Sequence, residues 1–314
     1  MVKKKVKITL ITAASIALVL AALFGVRHYT IKQTTEQITM NNQEKESVKK
    51  QALQYLGQKH PSNEIEKTLL DAFEKLDPID CTDIVDVYLY GVYNACAQYT
   101  LTDDETNILY RYVVSDGKFD FSDLKDESLK KMIEERNEEH IVLRYLNGSL
   151  YWDTDYGYFD ETFGSYVIPD YRDMIHFYAE ERTRSYYDEA TSKMYPDVVI
   201  DRLEKLYQLL CTYPNSDIRY FMEDSYYLYK SVYLGAYAQD YIYDNGKLRP
   251  EVIESYKSYS ETCSDPDLAS FIKEIMKDYE EVDNTRTIPI YEKIKDFCGF
   301  YVPDNQVTKD ATVQ

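Results

Sequence analysis

Ser62-Asn-Glu-Ile-Glu-Lys-Thr-Leu-Leu-Asp-Ala-Phe-Glu-Lys-Leu76 sets Ile65, Leu69, Leu70, Phe73 and Leu76 at steps of three and four. That period gathers apolar side chains on one face of a helix, and Ser62 stands where a cap is expected. Outward from this stretch the same patterning predicts helices over 44–57, 81–100, 103–115, 122–146, 169–190, 196–213, 216–243, 250–262, 266–282 and 288–299. Pro169, Pro196 and Pro250 each fall where a helix would begin, a position at which the missing N–H is no loss. The expected fold class is mainly α.

The chain begins Met1-Val-Lys-Lys-Lys-Val-Lys7 and then runs from Ile8 to Val26 without a charge, nineteen residues. A helix of that length crosses roughly 30 Å of hydrocarbon. Four lysines precede the run and only Arg27 and Lys32 follow closely, which holds the N-terminus in the cytoplasm and sends the rest across. The expected organisation is therefore a basic tail at 1–7, a transmembrane helix at 8–26 and a polar stalk at 27–43. A helical extracytoplasmic domain at 44–300 and a flexible tail at 301–314 complete it. The competing reading is a cleaved signal, which would make the protein secreted. It asks for a shorter core and a small-residue site, and only Val19-Leu20-Ala21 approaches one.

The formal charge is -19, and residues 1–27 hold five Lys/Arg and no acid, so removing them leaves -24 on the remainder. A surface of that sign lacks the basic footprint that nucleic acid requires. Five cysteines, Cys81, Cys96, Cys211, Cys263 and Cys298, are an odd number, widely spread and without a C-x-x-C pair. They read as buried thiols and not as a disulfide or zinc framework. Thirty-three tyrosines stand against one tryptophan and eleven phenylalanines. A ring with a polar tip suits half-buried helix interfaces first and ligand stacking second.

Two segments are nearly free of charge, Val87–Thr102 and Ser231–Gln239, and both are expected to be surrounded by protein. Tyr226, Tyr229, Tyr233, Tyr237 and Tyr241 recur at helical steps and read as a packing stripe. Tyr-Leu-Tyr followed by Ala-Gln occurs in both regions, and each precedes a glycine turn. That repetition suggests two helical lobes, with a boundary at 147–168.

The interval 147–168 is the least helical part of the chain. Asn147-Gly148 suits either a helix end or a hairpin turn. The helix-forming run Glu134–Glu139 favours the helix end and, after it, an irregular Tyr/Asp-rich loop. This loop holds the candidate ligand site: Trp152, Asp153, Asp155, Tyr156, Tyr158, Asp160 and Glu161. Aromatic rings beside carboxylates are what sugar binding needs, and a suitably placed acid pair would cleave a glycosidic link. Asp153, Asp155 and Asp160 also form a weak calcium candidate, with Gly157 fifth where the calcium loop wants it sixth. Asp116–Asp123 resembles the second half of such a loop, but Tyr112 and Val114 occupy its first ligand positions.

His28, His60, His140 and His176 are dispersed, with no H-E-x-x-H, no G-x-S-x-G and no phosphate-binding glycine loop. No catalytic residue and no cofactor are assigned. The sequence predicts a membrane-anchored extracytoplasmic binding or interaction module with a protein or glycan partner. The alternative is a glycan-binding or glycoside-cleaving protein that uses the acids of residues 153–161.

Overall fold

In the computed structural model, residues 42–58, 60–114, 118–146, 149–188, 191, 193–237 and 241–299 are described. The tail 1–7, the apolar segment 8–26, the stalk to residue 41 and the tail 301–314 lie outside them. No helix among the described residues is long and apolar enough to cross a membrane. Those residues form twelve α-helices and three two-stranded antiparallel sheets.

The chain divides into two compact units, the first comprising residues to His60 with Glu64–Asp77, the second Pro61–Asn63 with Pro78 onward. In the first unit, α1 (Asn42–Leu56) begins within the expected stalk and α2 (Ser62–Phe73) follows the predicted stripe. Ile65, Leu69, Ala72 and Phe73 are buried, so Ala72 takes a core position that the spacing gave to Leu70 and Leu76. Tyr55 stacks on His60 with ring centroids 3.7 Å apart. The interval 147–168 falls inside the second unit.

The second unit opens with α3 (Pro78–Cys96), α4 (Asp103–Leu109) and α5 (Glu127–Glu138). A capping box holds the start of α4: Glu105 N–H donates to Thr102 Oγ1, and the Glu105 carboxylate accepts from Thr102 N–H. After α5 the chain forms a hairpin, β1 (Ile141–Leu146) with β2 (Ser149–Thr154). The predicted helix 122–146 is therefore half right. His140 adopts a left-handed backbone, φ 59°, and stops α5. Beyond it the alternation of Ile141, Leu143 and Tyr145 with Val142 and Arg144 is a strand period. The register runs from Ile141 opposite Thr154 to Leu146 opposite Ser149. The alternation of the strand residues outweighed the helix propensity of the acidic run. The expected irregular loop is this hairpin followed by α6 (Tyr156–Phe163).

Pro169 and Pro196 open α7 (Pro169–Glu181) and α8 (Pro196–Thr212) as the sequence indicates, with the short pair β3 (Tyr187–Asp188) and β4 (Lys193–Met194) between them. Next come α9 (Arg219–Leu234), the pair β5 (Tyr243–Asp244) and β6 (Lys247–Leu248), and α10 (Pro250–Thr262). Last are α11 (Pro266–Glu281) and α12 (Ile288–Cys298). Gly235 ends α9 at φ 77°, where an added Cβ would fall 2.2 Å from Ile242 Cδ1, so only glycine fits. Packing is largely sequential: α3 meets β2 and α5 meets β1; α6 lies on α7, α7 on α8, α8 on α9 and α10, and α10 on α11, while α9 and α11 both meet α12.

The two uncharged segments differ. Of Ser231–Gln239, Ser231–Ala236 is buried as expected, but Tyr237, beyond the end of α9, is exposed and leaves the expected stripe of Tyr226, Tyr229 and Tyr233; residues 238–240 lie outside the described ones. In α3 only one side is covered, through Tyr88, Val92 and Cys96, while Val87, Tyr90, Gly91 and Tyr93 face solvent. Lack of charge misled there, because the tyrosine hydroxyl lets a large ring remain in water. All five cysteines are free.

Candidate functional site

The hairpin sorts the predicted site residues onto different faces. Trp152, opposite Leu143, is 5% exposed, and Ile141, Leu143 and Thr154 of the same face are buried with it. Asp153 lies on the other face, with its Oδ2 2.9 Å from Arg182 Nε and 3.9 Å from Arg144 Nε. Asp155 caps α6 by accepting from Tyr158 N–H at 3.3 Å. Tyr156 is buried beneath the Arg182 guanidinium, 4.4 Å from its ring centroid, and desolvation pushes its phenol up to about 12. Tyr158 stacks on His140 at 3.4 Å and 6°. Asp160 Oδ2 lies 2.7 Å from His176 Nδ1, and Glu161 is exposed.

The structure thus brings Asp153 and Tyr156 together around Arg182 and Asp155 to the backbone of Tyr158, and sends Trp152, Asp160 and Glu161 to other surroundings. Trp152 and Tyr156, the rings a sugar would stack on, have their faces in the core. Among the described residues no group of three His, Cys, Asp or Glu side chains stands where it would hold a metal ion.

Arg182 belongs to an ionic chain, half-buried at Asp153, Glu181 and Arg182 and buried at Arg202 and Tyr229, that sequence reasoning missed. It donates to Asp153 and Glu181 and to the carbonyl of Tyr178 at 3.3 Å. Desolvation opposes its charge, but Asp153 and Glu181 outweigh that and raise its pKa. Arg202, 5% exposed, donates to Tyr229 Oη at 3.0 Å, to the carbonyl of Glu181 at 2.6 Å and to that of Arg184. Tyr229 in turn donates to Glu181, and burial followed by that carboxylate drives its pKa well up. A signal was present. Val198, Val199, Arg202, Leu203, Leu206 and Leu210 form the buried stripe of α8, so an arginine occupies a core position by spacing alone.

Two apolar ridges are left in solvent. On α3, Ile79, Val87, Tyr90 and Tyr93 are exposed, Tyr90 to 65%. On α9, Tyr220, Phe221, Tyr227 and Leu228 are exposed, Tyr220 to 55%, with the rings of Tyr220 and Phe221 3.9 Å apart. Asp224 is exposed between them.

No family model matches this chain, and neither a curated protein nor a solved structure matches it significantly.

Proposed function

We propose that this chain is a membrane-anchored, extracytoplasmic helical interaction module that meets a protein partner through the exposed ridge of α9. The observation that carries the reading is the run Tyr220, Phe221, Tyr227 and Leu228, four large apolar side chains in solvent on one helix face. Such a ridge, rich in tyrosine, is the usual composition of a binding hot spot. The address follows from the sequence: Lys3, Lys4, Lys5 and Lys7 before the uncharged run 8–26. The glycan reading loses support because Trp152 and Tyr156 offer no free ring face and the acids diverge. Asp153 serves Arg182, Asp155 a helix start and Asp160 His176.

Two measurements test the proposal. A photo-crosslinking amino acid at position 227 of the membrane-bound chain should capture a protein, while one at buried position 233 should not. A reporter after Gln314 should be active only outside the cytoplasm, with the chain retained on membranes through high-salt washing. Release of a shortened form would replace the anchor with cleavage and secretion. Loss of capture at position 227 would remove the interaction reading.

A further inference from the structure

We infer that the occupant of the α9 ridge is a cationic amphipathic helix, setting apolar side chains against Tyr220, Phe221, Tyr227 and Leu228 and a lysine or arginine against Asp224. This rests on the reading of the chain as an interaction module and specifies its partner.

The argument starts from spacing. Positions 220, 221, 224, 227 and 228 follow the i, i+1, i+4, i+7, i+8 pattern of a packed helix face, yet all five are exposed. The opposite face of α9 is satisfied by burial of Met222, Tyr226, Tyr229 and Tyr233. The helix therefore carries two packing faces, one of them open. From Tyr220 to Leu228 the open face runs roughly 12 Å, about two turns, which suits one helix laid alongside with ridges in grooves.

Charge then selects the occupant. Asp224 sits at the centre of the ridge, Asp217 is exposed just before the helix, and neither carboxylate makes a hydrogen bond or ion pair among the described residues. The only bases of α9 are otherwise engaged. Arg219 is paired with Glu223 at 2.7 Å, and Lys230 is buried with its ammonium 4.5 Å from the Tyr227 ring centroid. A second copy is disfavoured, because a two-fold pairing of this ridge would set Asp224 against its counterpart between two bodies of charge -24 from residue 28 onward. An anionic lipid surface is repelled for the same reason. A basic helix satisfies both the apolar side chains and the central carboxylate.

The test uses the full-length chain in zwitterionic nanodiscs and a synthetic amphipathic helix of about five turns, leucine on one face and lysine on its flanks. A companion peptide carries glutamate in place of lysine. General attraction to an acidic protein would survive the loss of one carboxylate, so the local change decides. Asp224→Asn should weaken the lysine peptide by roughly tenfold, and Leu228→Ser should do the same, with helicity unchanged. Asp224→Lys should transfer preference to the glutamate peptide. Unchanged binding of the lysine peptide in all three variants overturns the inference. So does self-association in sedimentation that Leu228→Ser abolishes, which would make the occupant a second copy. Failure of the inference stays distinct from failure of the function. A crosslink at position 227 to an acidic or uncharged segment removes the cationic partner and keeps the interaction module.

Discussion

Tyr259 of α10 donates its phenolic hydrogen to Glu204 of α8 at 2.7 Å, and the amide of Ser264 donates to the same carboxylate oxygen at 3.1 Å. The pairing recurs through the second unit. Tyr171 donates to Asp86 at 3.0 Å, Tyr213 to Asp173 at 2.6 Å, Tyr226 to Asp265 at 2.5 Å, Tyr99 to Glu139 at 3.1 Å, and Tyr229 to Glu181. Two compositional oddities, the tyrosine excess and the acid excess, thus answer each other. The ring fills apolar space, and the hydroxyl supplies the donor that a carboxylate at the edge of the core requires.

That arrangement fixes an alkaline limit. Burial first, then the neighbouring carboxylates, raise the phenol pKa values of Tyr171, Tyr226 and Tyr229. Burial and neighbouring tyrosines do the same for Tyr256 and Tyr279. A raised pKa in the folded state is a stability contribution present below the unfolded value of about 10 and lost as pH climbs above it. Ionisation of these buried phenols, seen as the tyrosinate absorbance gained after the solvent-exposed rings have titrated, should therefore rise together with loss of helical circular dichroism in one steep step above about pH 10. Smooth ionisation of every tyrosine with the helices intact would show that these rings are not protected.

Arg182 joins the hairpin to the end of α7 by holding Asp153 and Glu181. Arg182→Met leaves Asp153 with the Thr154 N–H at 2.9 Å and, as its one counter-charge, Arg144 at 3.9 Å, and should cost about 2 kcal/mol, between the effects of stranding an exposed and a fully buried partner. Asp153→Leu added to it should recover most of that loss, because both charges then leave together. Additive denaturation midpoints for the two changes would mean that the pair is not coupled.

His140 should set an acid limit. Its ring is packed between Tyr158 and the edges of Tyr88 and Phe159, and Nε2 is buried with no hydrogen-bond partner. Desolvation lowers its pKa to about 4, while Asp155 pulls weakly the other way. A depressed pKa contributes stability above the unfolded value of about 6.5 and loses it as pH falls toward the folded value. The melting temperature should therefore drop between about pH 6.5 and 4, and His140→Phe, which keeps a ring in the stack, should flatten that slope. An identical slope in the variant would place the acid sensitivity elsewhere.

Where one physical signal dominated, the sequence was readable. The stripe of α2, the prolines that open α7, α8 and α10, and the burial of Ser231–Ala236 followed from spacing, fixed φ and absent charge. Competing signals caused the misses. Glu134–Glu139 promotes helix and Ile141–Leu146 promotes strand, and the switch at His140 is a backbone event that composition does not announce. In α3 an uncharged face looked like core, although tyrosine tolerates water. The candidate site was legible as a cluster in sequence but not in space, because alternate residues of β2 point to opposite faces and divide Trp152 from Asp153.

Trp152 supplies the decisive check on the hairpin, since it is the only indole in the chain. At 5% exposure its fluorescence should be blue-shifted and resist acrylamide quenching. Calcium or cell-wall glycan fragments at about millimolar concentration should leave the emission unchanged, because neither a metal ligand set nor a free ring face lies at the indole. Trp152→Ala should then act on stability alone, costing about 3–5 kcal/mol as a large side chain is removed from the packed face of β2. A red-shifted spectrum that responds to glycan would instead place the ring at the surface and restore the 152–161 segment as a ligand site.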